Sequence, residues 1–157
     1  MKKILLVGEQ DEFFIAKFLQ RHPSYVFLSS SGVRLRNLDK EAVFIYDTGH
    51  YFVDLSLRYD MILFKNSRFE NFPLKESLLN PIGKIFLFSE NQKAKNMLNN
   101  QKIPYRTIGF QEGDVSVSSI TEDGVTFFCC KQGNEYFVQG NYFPTGIYPV
   151  VAGELTS

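Results

Sequence analysis

The 157-residue sequence has no tryptophan, only two cysteines and two histidines, and no net charge, with 17 basic side chains against 17 acidic ones. Balanced charge leaves no electrostatic footprint for DNA or RNA and no polybasic patch for an anionic membrane, so neither partner is expected. No apolar run approaches the length that a bilayer-spanning helix needs. The opening MKKILLVGEQDEFF begins like a secretory leader, but its apolar stretch, residues 4–7, is short and Glu9, Asp11 and Glu12 follow at once. A cytoplasmic protein is expected. Cys129 and Cys130 are adjacent, so on a strand they point to opposite faces and a mutual disulfide would be strained. A zinc site would have only His22 and His50 to add, too few for its ligand set. Two reduced, packing thiols are expected.

What the chain does have is aromatic mass, with 16 Phe and 8 Tyr, which reads as core packing. Its length suits one domain with its own core. Residues 4–7 form a short β-branched run typical of a buried strand, and residues 11–21 carry Phe14, Phe18 and Leu19 on one helical face, stopped by Pro23. Further strands are expected at 25–28, 42–46, 61–64, 84–88 and 105–108, with a loop over Ser29, Ser30, Ser31 and Gly32. Helices are expected at 72–79, ended by Asn80 and Pro81, and at 92–100. This alternation predicts an α/β fold: a mostly parallel sheet flanked by helices, three-layered in the P-loop or Rossmann manner. Strands at 115–120, 124–130 and 135–139, with turns at Glu122-Asp123-Gly124 and Gln132-Gly133-Asn134, predict an appended C-terminal antiparallel β unit. The chain thus divides into a parallel-sheet body (1–112), a β unit (113–142) and a tail (143–157) within one domain.

In such a sheet the first strand-to-helix turn usually holds phosphates. Phosphate cradling needs glycines for backbone approach and a lysine at the helix start. Here the turn reads Gly8-Glu9-Gln10-Asp11-Glu12, one glycine among three carboxylates. Those carboxylates suit the helix dipole and repel a polyphosphate. No cofactor is therefore expected, although Glu9, Asp11 and Asp47 at strand ends could form a Mg²⁺ site. His50 follows a strand end, a plausible active-site position, but no nucleophile elbow surrounds Ser29 to Ser31, and no carboxylate pair implies acid–base chemistry.

Residues 43–72, VFIYDTGHYFVDLSLRYDMILFKNSRFENF, resemble the middle domain of the Mur ligases, the ATP-dependent amide ligases of peptidoglycan precursor synthesis. Asp47 lies at the family's acidic magnesium ligand, Asn66 at its asparagine, and Glu70 and Asn71 where it has Asp-His. Residues 84–90, 105–110, 114–139 and 142–153 resemble its later elements in order. Where the family has T-G-T-x-G-K-T, Gly8 matches one glycine, while Asp11, Glu12 and Phe13 fall where Gly, Lys and the metal-binding Thr belong. The resemblance implies a non-catalytic binding or assembly module with a degenerate phosphate turn. Two alternatives stay open. One is a receiver-like or flavodoxin-like regulatory domain, suggested by ILLVGEQDEFFIAKFL, although Gly8-Glu9 replaces the paired acids and Phe64-Lys65 the strand-end Asp. The other is an active enzyme, either a ligase completed by partner chains or a hydrolase using Asp47, His50 and Glu70. The apolar tail residues Tyr142, Phe143, Ile147, Tyr148, Val150 and Val151 either fold back onto the sheet or form a patch. In the second case the β unit and tail would mediate self-association or protein binding.

Overall fold

The computed structural model of the chain describes residues 1–129, 133–141 and 146–156. Cys130, Gln132, Tyr142 and Phe143 lie outside the described residues. The order is β1 (Lys3–Val7), α1 (Glu12–Leu19), β2 (Tyr25–Ser29), β3 (Gly32–Arg36), β4 (Val43–Gly49), β5 (Tyr59–Phe64), β6 (Leu79–Phe88), α2 (Gln92–Asn100), β7 (Arg106–Phe110), β8 (Val115–Ile120), β9 (Gly124–Cys129), β10 (Asn134–Gln139) and α3 (Ile147–Thr156). The strands make one ten-stranded sheet ordered β10-β9-β8-β7-β6-β5-β1-β4-β2-β3. From β8 through β2 every pairing is parallel, and β9, β10 and β3 run antiparallel at the two ends.

The first apolar run became the central strand because both its faces are covered. Ile4 and Leu6 join the core beneath α1 and α3, and Leu5 and Val7 join the core on the α2 side. Strict alternation in a run without polar residues leaves no face for water. Helix α1 starts at Asp11, whose carboxylate accepts the Phe14 N–H at 3.1 Å, and buries Phe14, Ile15, Phe18 and Leu19. Helix α2 starts at Asn91 in the same way and buries Ala94, Met97 and Leu98 against the opposite face. Helix α3 closes the α1 side with Ile147, Val150, Val151 and Ala152, all 2% exposed or less. Each large aliphatic buried this way stabilises the fold by about 1.5–3 kcal/mol. Among the described residues no helix is long and apolar enough to cross a membrane.

Two expectations need correction. The Ser29 to Gly32 loop is the turn of a hairpin, because Gly32–Arg36 pairs antiparallel with β2 as an edge strand. The helix expected over 72–79 is an extended segment ending in one 3-10 turn, Glu76–Leu78. The Gln101 side chain takes the Leu74 N–H at 2.8 Å and donates to the Phe72 carbonyl at 3.0 Å, which holds the start of the segment extended. The C-terminal antiparallel β unit is appended where expected, with β8, β9 and β10 paired antiparallel in turn, and it extends the same sheet, since Ile108 of β7 pairs in parallel with Val115 of β8. The described tail folds back as α3, so Ile147, Val150 and Val151 form no surface patch.

Candidate functional site

The chain runs from β1 to one side of the sheet and returns through β5 on the other, so the strand order reverses at β1. Crevices at the carboxyl ends of strands at such a reversal are where open α/β sheets hold ligands. Here the crevice is formed by the segments that leave the ends of β1, β4 and β5. These segments are laced together: the Gly8 N–H donates to Gly49 O at 2.9 Å, Glu9 N–H to Arg68 O at 2.9 Å, Lys65 N–H to Val7 O at 2.8 Å and Glu70 N–H to His50 O at 2.7 Å.

At the centre stands an ion pair. Asp47, at the end of β4, and Lys65, just after β5, are 1% and 2% exposed. The Lys65 ammonium donates to both Asp47 carboxylate oxygens at 3.0 Å and to the Glu9 carbonyl at 2.9 Å. Burial pulls the lysine below its ordinary pKa, and the Asp47 carboxylate pulls it back up. The third oxygen partner matters, because a buried pair holds only when its remaining protons and lone pairs are satisfied. Asp47 also accepts the Gly49 N–H at 3.0 Å.

Gly8 has φ +132°, and a Cβ there would lie 2.5 Å from Ser67 Oγ and 3.1 Å from Lys65 Cβ. The Ser67 hydroxyl therefore sits in the hollow that the missing side chain leaves. It is buried and has no hydrogen-bond partner.

The other sequence candidates divide into two groups. Glu9 is drawn to Arg68 at 2.8 Å, Asp11 is spent on the α1 cap, and Asp47 is engaged by Lys65. The three carboxylates expected as one Mg²⁺ set thus face three different partners, and among the described residues no group of three or more acidic, His or Cys side chains could hold a metal. His50, half-buried, packs against Tyr51 with ring centres 4.3 Å apart and the planes tilted by 50°. Asn66 donates to Glu90 at 3.3 Å, and Glu90 also accepts the Tyr148 hydroxyl, which ties the start of α3 to the crevice. Burial and Glu90 raise the Tyr148 pKa. Glu70 is exposed beside His50. Glu12 points away to β3, with both oxygens on Arg34 at 2.6 and 2.7 Å. Asn71 lies apart, lining a shallow cavity beside the end of α2 with Met97 and Gln101.

The crevice leaves a cavity of ≈ 140 Å³ between Asp11, Asn66, Ser67, Phe88, Tyr148 and Pro149. That is well below the roughly 300 Å³ at which small-molecule sites begin. The sequence reading missed Lys65 as a site residue. The signal was present, since a lysine directly ending the buried run MILF cannot reach water without leaving the sheet.

No family model matches this chain, and no curated protein matches it by sequence. By structure it is similar to a crystal structure of MurF from Acinetobacter baumannii, with a TM-score of 0.58 and 12% identity over 99% of this chain. The match covers 42% of that ligase, so this chain spans less than half its length. At this identity the likeness is one of fold, and the architecture is a Mur-ligase-like α/β sheet.

Proposed function

We propose that this chain is a binding or assembly module on a Mur-ligase-like fold whose ATP site has been lost. The observation that carries the reading is the Asp47–Lys65 pair. The carboxylate that the resemblance puts at a magnesium ligand has an ammonium against both oxygens at 3.0 Å. The residues around Gly8 do not fit a magnesium triphosphate. Ser67 Oγ takes up the close-approach hollow, Glu9 and Asp11 add negative charge, and Glu12 stands where the family has its phosphate lysine. Replacing a lysine by an acid changes the local charge by two units. At intermediate dielectric each unit near a phosphate is worth roughly several kcal/mol.

A cytoplasmic location goes with this reading. The surface that supports an assembly role is β10, the end strand of the sheet among the described residues, which carries Phe137 at 59% exposure.

The direct test is isothermal titration of the full chain with ATP and Mg²⁺. No magnesium-dependent affinity tighter than about 1 mM, some −4 kcal/mol, is expected. Sub-millimolar binding, unimproved by Glu12→Lys, would overturn the loss of the site and favour the reading of a ligase segment completed by partner chains.

A further inference from the structure

The roomier cavity beneath α3 lies at the opposite edge of the sheet, at the amino ends of the parallel strands. It measures ≈ 340 Å³. In the ladder Met61 stands opposite Lys84, and Phe86 opposite Arg106. Lys84 and Phe86 are two apart on β6 and share a face. Met61 and Phe86, with Val115 and Phe127, therefore form an apolar floor, and Lys84 and Arg106 rise from the same surface at its border. Leu155 and Glu154 of α3 form the wall.

Lys84 and Arg106 border this cavity on the face that carries its apolar floor. Both are half-buried, and neither has a hydrogen bond or ion pair among the described residues. The carboxylates of the lining are engaged elsewhere. Asp114 accepts the Thr107 N–H at 2.9 Å, and Glu154 pairs with Arg21 at 2.9 Å. With Glu154 neutralised by Arg21, two cations face one carboxylate. Partial desolvation of uncompensated charge beside an apolar floor is costly unless an anion completes it. An arginine fork grips a carboxylate or phosphate through two parallel N–H bonds, and a lysine adds a point charge. The volume is at the lower end of small-molecule sites, enough for one ring-sized body.

We propose that this cavity binds a small organic anion made of a ring-sized apolar body and one anionic head group. The body rests on Phe86, Phe127, Met61 and Val115, and the head is held by Arg106 and Lys84. This site does not depend on what the carboxyl-end crevice does.

The test is a fluorescence titration of the full chain with anilinonaphthalene sulfonate, an aromatic ring system with one anionic head. One saturable class per chain is expected. Phenylpropionate should displace it, and inorganic phosphate, a head without a body, should not. Arg106→Met and Lys84→Met keep the apolar stems and should each weaken binding about tenfold, the usual scale of one charge-assisted hydrogen bond. Lys40→Met, an exposed cation elsewhere, should bind as the parent does. A readout free of the dye is the unfolding midpoint, which phenylpropionate should raise in the parent and raise less, at the same concentration, in Arg106→Gln. Absence of saturable binding, or binding unchanged in both methionine variants, overturns the proposal; the second result would put the dye on the exposed Val33 and Leu35 surface instead.

Discussion

A single buried lysine decides how the centre of this molecule is to be read. Lys65 and Asp47 are both out of water, so removing one partner leaves the other's charge stranded. Lys65→Met should cost about 3–5 kcal/mol, and the double variant Asp47→Leu/Lys65→Met should cost much less than either single change. Urea unfolding of the three variants measures this directly, and a Lys65→Met protein as stable as the parent would remove the pair from its central role. His22 is the second residue whose burial has a measurable consequence. It is 1% exposed, bonded to Thr156 Oγ1 at 2.9 Å, and burial, with Lys2 and Arg21 nearby, pushes its pKa down from 6.5 to about 4. The unfolded chain then binds the proton more tightly than the folded one. The stabilising contribution is complete above about pH 6.5 and is lost as pH falls toward 4, with a total of the order of 3 kcal/mol. Urea midpoints across that window should fall in the parent and lose this slope in His22→Gln. Residue-level sequence reading located Asp47 and Gly8 at strand ends because apolar runs ended there. It did not locate Lys65, since its significance comes from Asp47, which is 18 residues away in sequence and adjacent only once β1 lies between their strands.

At the scale of elements, α3 meets the end of α1 and the residues that follow it at Gly153. A Cβ there would meet Arg21 Cγ at 2.7 Å, Arg21 Cβ at 2.9 Å and the Phe18 carbonyl at 3.0 Å. Alanine gains about 1 kcal/mol in helix preference over glycine. Against that stands overpacking, and the carbonyl cannot swing aside. Gly153→Ala should therefore be destabilising by about 1–2 kcal/mol, read as a lowered thermal midpoint; an unchanged or raised midpoint would show that α3 shifts freely. Elements that were legible in the sequence are those whose burial is two-sided or strongly periodic, such as β1, β5 and α1. The edge strand β3 was not, because all five residues of GVRLR are exposed and an alternation facing water on both sides looks like a loop. The supposed helix over 72–79 misled for a different reason. Phe72 and Leu79, seven apart, have helical spacing and both pack on the α2-side core, but the Gln101 amide holds the backbone at Phe72 and Leu74 in an extended path.

For the whole molecule, β3 and β10 are the two end strands of the sheet among the described residues. The β3 edge carries Val33 and Leu35 at 60% and 59% exposure, and the β10 edge carries Phe137 at 59%. Unpaired strand edges with exposed apolar side chains are templates for another strand. If the β unit assembles as proposed, sedimentation velocity should show concentration-dependent association that Phe137→Lys weakens. A monodisperse monomer at high concentration would leave that role without support. The overall α/β architecture was legible from alternating apolar runs. The fusion of the β unit into one continuous sheet was not, because a parallel pairing such as that of β7 with β8 leaves no turn signature in the sequence.

The docking of α3 on α1 also sets a timetable. Lys2 donates to the Thr156 carbonyl at 3.0 Å, Arg21 pairs with Glu154, and His22 bonds to Thr156, so the earliest and latest residues of the fold clasp each other. On the ribosome, Phe14, Ile15, Phe18 and Leu19 emerge long before Ile147, Val150 and Val151 can cover them. At synthesis rates of roughly 5–20 residues per second, that apolar face waits on the order of ten seconds for its cover. The nascent chain must pass this interval with a greasy helix surface, although β1 can pair with β4 and β5 once residue 64 has emerged. Its folding cannot finish before translation reaches α3.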